Sequence, residues 1–246
     1  MDQPKSAKMV SLDAIDNKLL DGLGFCKKVY DLYEQITSQP EGLTRIRLIA
    51  SKLEKRLLEE LFPIVQYIQV NYRVRNRFKL RWLSGSQSYD AIIWTPFEMA
   101  KKTPMPRKIY LEVTTSTHPN AHLVRRELHE KGGSFGPKNI SRDPKTGEIK
   151  SKPYVYSGNH IGELAQQIVD RLTAKSAKDY PWNTVLLVNC YPDGLILENE
   201  WLQAVETVRQ TGLQKNFLEV FLFEARGHKW ANLWGTNKKR SRRIGR

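Results

Sequence analysis

The sequence predicts an α/β domain, in which helices cover a mixed β-sheet, and two observations support this prediction. Segments 44–62 and 160–175 carry apolar residues at the spacing of α-helices that pack one face on a core. Other segments are typical of strands, because they alternate in polarity, as over 71–83, or are short and continuously apolar, as over 184–189. Helices and strands follow one another in mixed order, as they do in α/β proteins.

The charge of the chain indicates the class of its partner. The 246 residues have a formal net charge of +14 at neutral pH, with 40 Lys and Arg against 26 Asp and Glu. A protein this basic attracts polyanions, of which nucleic acid is the commonest. We therefore expect a nucleic acid as the partner, and the charge alone fits RNA as well as double-stranded DNA. The sequence leaves open whether the chain is a monomer or a homodimer.

Cysteine usage and hydropathy predict the compartment. Cys26 and Cys190 are the only cysteines, and two distant cysteines form neither a disulfide framework nor a zinc-binding set. No apolar run approaches the ~18 residues of a membrane span. Residues 1–10 lack the apolar core of a signal peptide. We expect a cytoplasmic protein with no membrane partner.

The pattern along the chain predicts three regions. Residues 1–40 form an N-terminal helical arm, residues 41–236 form the main domain, and residues 237–246 form a basic tail. The tail holds six cations, and removing six charges from +14 leaves +8 for the rest of the chain. The basic character therefore belongs to the main domain as well as to the tail.

An acidic residue lies within the apolar stripe of the predicted helix 44–62. At about 100° per residue, Glu60 falls between Ile49 and Leu53 in angle, whereas Glu59 points away. A carboxylate on an apolar face is unfavourable unless it has a partner. Glu60 is therefore either a functional acid or a residue near the helix end that reaches solvent or an arginine.

The predicted strand 71–83 carries a row of cations on one face and apolar side chains, including Leu80 and Trp82, on the other. Such a row repels itself unless anions lie across it, so we predict that it binds nucleic-acid phosphates. Acids on a neighbouring strand are the alternative. The residues of the row are Arg73, Arg75, Arg77, Lys79 and Arg81, and we predict two further contacts from Lys138 and Lys152.

Two carboxylates lie on the next two predicted strands. Asp90 precedes the apolar run 91–94, and Glu112 lies in strand 108–116 on the same face as Thr114. Adjacent strands that each offer one carboxylate at a common edge can hold a hard divalent cation such as Mg²⁺. The alternative is that Asp90 closes a turn and Glu112 is solvated. After these strands we predict a helix over 121–131, a hairpin turn at 143–147, a helix over 160–175, a strand over 184–189, a helix over 198–209, and strands over 217–223 and 230–234.

The order of the elements and the placement of the acids resemble the PD-(D/E)xK nuclease superfamily, whose restriction-endonuclease-like fold has an αβββαβ core. Asp90 matches the family's Asp at the start of the second strand, and Glu112 matches the Glu of the third strand. Glu60 matches the acid that many members carry on the first helix. Gln167, or its neighbour Gln166, matches the glutamine of the helix after the third strand.

The resemblance covers residues 43–224 and implies a set of roles. Asp90, Glu112 and the backbone carbonyl of Val113 would bind Mg²⁺, for which Mn²⁺ can substitute, and the metal would activate water for phosphodiester hydrolysis. The family motif continues with a lysine two residues after the Glu, but this chain has Thr114 there. Thr114 would at most hydrogen-bond the attacking water.

A lysine from elsewhere could replace the motif lysine. Lys108 shares the face of Glu112 but lies four residues along the strand, ~13 Å away, which is too far. The excursion after the third strand offers Lys131, Lys150 and Lys152. A chain that recruits such a lysine is a metal-dependent DNA endonuclease of restriction, repair or defence type. A chain that recruits none is a catalytically silent nuclease-like module that binds DNA.

Overall fold

A seven-stranded mixed sheet lies at the centre of the protein, as seen in a computed structural model. The structure describes residues 10–72, 78–96, 106–154, 159–192, 195–225 and 229–234. The strands are β1 (Leu20–Asp21), β2 (Lys79–Trp82), β3 (Ala91–Trp94), β4 (Lys108–Ser116), β5 (Ile140–Arg142), β6 (Ile149–Ser151), β7 (Thr184–Cys190), β8 (Glu219–Glu224) and β9 (Trp230–Trp234).

The sheet consists of an antiparallel half and a parallel half that meet at β4. Its strand order is β1-β2-β3-β4-β7-β8-β9, while β5 and β6 form a separate two-stranded hairpin. β1 to β4 pair antiparallel, β4 pairs parallel with β7, β7 pairs parallel with β8, and β9 returns antiparallel to β8. The predicted α/β fold with a mixed sheet is therefore confirmed.

Seven α-helices occur within the described residues. None of these helices is long and apolar enough to cross a membrane. A π-helical turn at Leu57–Leu61 joins the third and fourth helices, and a 3₁₀ turn at Leu213–Asn216 precedes β8. The α-helices are α1 (Gly22–Thr37), α2 (Gly42–Leu48), α3 (Lys52–Arg56), α4 (Phe62–Asn71), α5 (Ala121–Lys131), α6 (His160–Ser176) and α7 (Glu198–Gln210).

Helices cover both faces of the sheet and bury a separate core on each. Val29 of α1 and Ile64 of α4 belong to the same core as Leu111 of β4. Ile168 of α6 and Leu186 of β7 belong to the core on the other face. Because successive side chains of a strand point to opposite faces, the central strands contribute to both cores. Each fully buried aliphatic side chain stabilises the fold by about 1.5–3 kcal/mol.

The predicted helix 44–62 is interrupted, and the helical region extends further than expected. α2 ends at Ile49, which has a positive φ of 52°, and Ser51 then caps α3 by accepting a hydrogen bond from the Leu53 N–H. Pro63 has no N–H to continue the usual helical ladder. The N–H of Phe62 donates to the carbonyl of Leu57 instead, which produces the π turn.

The predicted strand 71–83 is also shorter in the structure. Asn71 is the last residue of α4, because the helix continues to bury Tyr67 and Ile68, and β2 begins only at Lys79. Leu80 and Trp82 are buried, as predicted for their face. Three cations of the predicted row, Arg73, Arg75 and Arg77, lie outside the described residues, as does the predicted basic tail 237–246.

The described part of the N-terminal region packs on the sheet of the main domain. Phe25, Val29 and Ile36 of α1 are buried in the same core as the sheet, and β1 pairs with β2. The boundary predicted at residue 40 therefore does not separate two cores.

The chain between β4 and α6 forms an excursion with a small core of its own. Leu123 of α5 packs with Ile140 and Ile149 of the β5–β6 hairpin. The side chain of Asp143 accepts hydrogen bonds from the N–H groups of Lys145 and Thr146, which closes the predicted hairpin turn. The excursion, defined as residues 117–154, is therefore an ordered addition at the end of β4.

Candidate active site

Asp90 and Glu112 meet where β3 begins. β3 pairs with β4 as far as Ala91, which lies opposite Leu111, and Asp90 is the residue just before Ala91. The N–H of Asp90 donates to the Leu111 carbonyl at 2.8 Å, and Oδ2 of Asp90 accepts a hydrogen bond from the N–H of Val113 at 2.7 Å. The two carboxylates are neighbours, because the negative charge of Glu112 contributes to a raised pKa of Asp90.

Two side chains hold Glu112, which is only 7% exposed. Both come from the end of the connection between β4 and β7, which contains α6. Oε1 of Glu112 accepts a hydrogen bond from the Lys175 ammonium group, in a salt bridge. The same oxygen accepts a hydrogen bond from the hydroxyl of Tyr180 at 3.2 Å. Burial and the negative charge of Glu112 raise the pKa of Tyr180. The hydroxyl therefore keeps its proton and acts as a donor to the carboxylate.

Lys175 reaches Glu112 because of the direction of α6. The connection between the parallel strands β4 and β7 must return the chain to the start of the next strand, so α6 runs antiparallel to β4. Leu164, Ile168 and Leu172 fix the helix on the sheet, and its last turn lies beside the middle of β4. Sequence reasoning missed Lys175; the available signal was its position in the last turn of the crossover helix.

Two of the three excursion lysines predicted to replace the motif lysine, Lys131 and Lys150, contact other groups. Lys152 is exposed and follows β6. The lysine that contacts Glu112 lies on α6. The other contacts are those of Lys131 with Glu127 and the Ile149 carbonyl, of Lys150 with Glu148, and of Lys108 with the ring of Tyr110.

The surroundings of Asp90 disfavour its charged form. Burial and the negative charge of Glu112 raise the pKa of Asp90 to about 7, with a smaller contribution from Glu60. The Val113 N–H and the Lys175 charge oppose this rise. A carboxyl group that titrates near neutral pH is unusual, and such groups are concentrated at functional sites.

Glu60 approaches Asp90 from the opposite side of the sheet. It lies in the π turn Leu57–Leu61, whose leucines pack into the core on the face opposite to Glu112. Burial raises the pKa of Glu60, and the neighbouring Arg56 opposes this effect. Glu60 therefore adds negative charge to the site, since it contributes to the raised pKa of Asp90. π turns occur frequently at functional sites.

The oxygen atoms that fit a metal ion come from Asp90, Glu112 and Val113. Among the described residues, the hydrogen bond to Asp90 goes to its Oδ2, and both hydrogen bonds to Glu112 go to its Oε1. Oδ1 of Asp90 and Oε2 of Glu112 are therefore left to bind a metal ion. The Val113 carbonyl points to the same edge as its N–H, toward Asp90. Two carboxylate oxygens and a carbonyl oxygen suit Mg²⁺. No group of three or more His, Cys, Asp or Glu side chains within the described ranges is arranged to hold a metal.

Thr114 and Gln167 lie at the margin of this site. Thr114 is half-buried opposite Val188 of β7, on the face of Glu112 and ~7 Å from it along the strand. Gln167 is half-buried on α6, eight residues before Lys175, which is ~12 Å along the helix axis. Because α6 is antiparallel to β4, Gln167 lies toward the end of β4 and away from Glu112.

The predicted nucleic-acid contacts that the structure describes differ in exposure. Lys79 is exposed and Arg81 is half-buried on β2. Lys138 forms a salt bridge with Glu163 and lies 4.9 Å from the ring centroid of Tyr154, so its charge is already partnered. Lys152 is exposed. Lys79, Arg81 and Lys152 therefore remain the best-placed of these cations.

Comparison of the chain with models of protein families, with curated proteins and with solved structures finds no match of any of the three kinds. The grouping of Asp90, Glu112 and Lys175 is therefore the main observation that bears on function. It combines two neighbouring carboxylates with one ammonium group, a composition suited to chemistry at a phosphate.

Proposed function

We propose that this chain is a Mg²⁺-dependent nuclease that hydrolyses phosphodiester bonds in DNA. The observation that carries the proposal is the convergence of two carboxylates, Asp90 just before β3 and Glu112 of β4, with the Lys175 ammonium group from α6. Lys175 supplies the positive charge that Thr114 cannot. The order of α4, β2, β3, β4, α6 and β7 supports a restriction-endonuclease-like core, with Asp90 at the start of its second strand.

Each residue of the site has a distinct role in this proposal. Asp90, Glu112 and the Val113 carbonyl would hold Mg²⁺, which polarises the phosphate and lowers the pKa of a bound water. The charge of Lys175 favours the negative charge that develops on the phosphate oxygens. Tyr180 fixes the orientation of the Glu112 carboxylate through Oε1.

A cleavage assay on plasmid and linear DNA, with Mg²⁺, Mn²⁺ or EDTA, tests the proposal. We expect cleavage with either metal and none in EDTA. Asp90→Asn and Glu112→Gln should each lower the rate by ~100-fold or more, because each removes a negative charge that would hold the Mg²⁺ on which hydrolysis depends. DNA binding should survive both changes.

Asp179→Asn is the matched control, because Asp179 is an exposed acid just after α6. This variant should cleave like the wild type. Metal-dependent cleavage that persists in both Asp90→Asn and Glu112→Gln would place the active site elsewhere in the chain.

A catalytically silent DNA-binding module is the second candidate, and one observation favours it. Lys175 contacts Glu112 directly, and a buried ion pair of this kind can also be purely structural. A silent module predicts no metal-dependent cleavage by the wild type, with DNA binding that is the same in EDTA and in Mg²⁺. Titration of Mg²⁺ into the protein by calorimetry separates the candidates further, since only the nuclease should lose Mg²⁺ binding in Asp90→Asn.

A further inference from the structure

The sheet face that carries Asp90 and Glu112 continues away from them as two rows of side chains. Residues directly opposite on paired strands share a face, and successive positions on that face are ~7 Å apart. The rows therefore lie ~7 and ~13 Å from the carboxylates. The nearer row consists of Arg81, Ile92 and Tyr110, and the farther row of Lys79, Trp94 and Lys108.

All side chains of these rows except the buried Ile92 reach solvent, unlike those on the other side of the same strands. Lys79 is exposed, and Trp94 and Tyr110 are half-buried. The residues that alternate with them, such as Leu80 and Ile93, are fully buried in the core. The antiparallel half of the sheet thus presents a polar and aromatic surface next to the candidate active site.

Cations of this surface lie over its aromatic rings. The guanidinium carbon of Arg81 is 5.6 Å from the ring centroid of Trp94, and Nζ of Lys108 is 4.6 Å from that of Tyr110. The ring of Tyr89 packs against Tyr110 at a centroid distance of 4.7 Å. Cation–π contacts near solvent are weak. A phosphate can therefore draw the cation away from the ring, which leaves the ring face to a nucleobase.

We propose that this surface binds single-stranded DNA and directs it to Asp90 and Glu112. We call it the cation–aromatic face and define it by Lys79, Arg81, Trp94, Lys108 and Tyr110. Cations that track the backbone beside rings that stack on bases are the means by which proteins bind single strands. A duplex offers the same phosphates but keeps its base faces stacked inside. The delivery to the carboxylates rests on the proposed function, whereas the binding requires no cleavage.

Fluorescence anisotropy in EDTA tests the binding with three labelled probes: a thymidine oligonucleotide of about 20 nucleotides, a DNA duplex of equal length and a uridine RNA oligonucleotide. We expect the DNA single strand to bind at least ~10-fold more tightly than the duplex. Trp94→Leu should weaken single-strand binding by about 5- to 100-fold, and Trp94→Phe should retain most of the affinity because it keeps a ring.

The salt dependence of the DNA affinity distinguishes the contribution of the aromatic rings from that of the cations. Trp94→Leu should leave the slope of log affinity against log salt unchanged, since tryptophan carries no charge. Lys108→Gln should reduce the slope by about 0.7, the value for one phosphate contact on a single strand. Phe135→Leu is the matched control, because Phe135 is 55% exposed but lies in the excursion. This control should bind like the wild type.

Thermal melting establishes that each variant is folded, and Tyr110→Leu provides an independent test on the nearer row if Trp94→Leu does not fold. Wild-type affinity in a folded Trp94→Leu or Tyr110→Leu variant would overturn the proposal. Tighter binding of the duplex or of the RNA probe would overturn it as well. Single-strand binding without any cleavage would defeat only the nuclease assignment, and cleavage without preference for single strands would defeat only the cation–aromatic face.

Discussion

The buried contact between Glu112 and Lys175 affects both stability and chemistry at the scale of single residues. The side chains of Lys175 and Glu112 are 19% and 10% exposed. Removing one partner of a buried ion pair leaves a charge without compensation, which typically destabilises a protein by about 3–5 kcal/mol. We expect Lys175→Ala to lower the free energy of unfolding by ~2–4 kcal/mol, as measured by urea denaturation.

Lys178→Ala is the control for this measurement, because Lys178 is exposed three residues further along the chain. It should change the free energy of unfolding by no more than ~0.5 kcal/mol. Equal effects of the two substitutions would mean that the salt bridge to Glu112 contributes nothing to stability.

Thr114 provides a second prediction at this scale. It is the next residue after Glu112 on the same strand face, where the resemblance places a lysine. In the Lys175→Ala background, Thr114→Lys should restore part of the cleavage rate, since it returns a cation to the carboxylates. Single-turnover cleavage with Mg²⁺ measures the rate. Thr114→Gln in the same background is the uncharged control, and equal rates for the two variants would show that charge at this position has no effect.

The raised pKa of Asp90 predicts a dependence of stability on pH. The pKa rises from 3.8 to about 7 on folding, so the unfolded chain releases this proton at a lower pH than the folded chain. The contribution of Asp90 to the free energy of unfolding is therefore greatest below about pH 4 and is lost as the pH rises to about 7. At about 1.4 kcal/mol per pH unit, the upper limit of the loss is ~4 kcal/mol. Because solvent screens a half-buried carboxyl group, we expect an actual loss of ~2 kcal/mol.

Asp90→Asn removes this charge. We expect the variant to be more stable than the wild type by ~2 kcal/mol at about pH 8, and to be equally stable at about pH 4. Urea denaturation in EDTA measures both values. Asp179→Asn should show no gain at either pH, because Asp179 is exposed. A constant difference between Asp90→Asn and the wild type across this range would show that Asp90 has an ordinary pKa in the folded protein.

At the scale of elements, the small core of the excursion predicts local unfolding. Leu123 belongs to a cluster separate from the two main cores, whereas Leu187 belongs to a main core. Leu→Ala substitutions in cores cost about 2–5 kcal/mol. We expect Leu123→Ala to speed amide hydrogen exchange only within residues 121–151, and Leu187→Ala to speed it across the sheet. The same pattern of exchange in both variants would mean that the excursion unfolds only with the whole domain.

Periodicity predicted the strands more successfully than the first long helix. The continuous apolar run 184–189 became β7 because a strand buried on both faces needs no alternation. The helix over 44–62 contains breaks that depend on single residues, namely the positive φ of Ile49 and the missing N–H of Pro63. Apolar spacing does not report such breaks. The limit of α4 at Asn71 reflects tertiary packing, which overrides local strand propensity.

The candidate site was predictable only in part, for a related reason. Strand alternation predicted Asp90 and Glu112 on neighbouring strands at a common edge, and in the structure the charge of Glu112 acts on Asp90. Lys175 is distant in sequence and reaches Glu112 only because α6 packs antiparallel to β4. That contact depends on how the helix lies on the sheet. A motif search along the chain does not detect a contact of this kind.

At the scale of the whole molecule, the net charge of +14 predicts that the protein also binds DNA through its phosphates, without base stacking. Deleting residues 237–246 removes six cations. We expect weaker binding to single-stranded and duplex DNA alike, with the salt slope falling by about 0.7–0.9 for each phosphate that the protein no longer neutralises. Anisotropy titrations over a range of salt concentrations measure this change. A deletion that altered only single-strand binding would tie the tail to the cation–aromatic face.

The distance in sequence between Glu112 and Lys175 has a consequence for synthesis of the protein. The ribosome adds Lys175 63 residues after Glu112, and β7 and β8 follow later still. A growing chain therefore holds both carboxylates before it has their ammonium partner or a finished sheet. On the proposed function, nascent chains and termination products that end before Lys175 cannot cut DNA. The cell that makes the protein is exposed to its activity only after translation has passed the crossover helix.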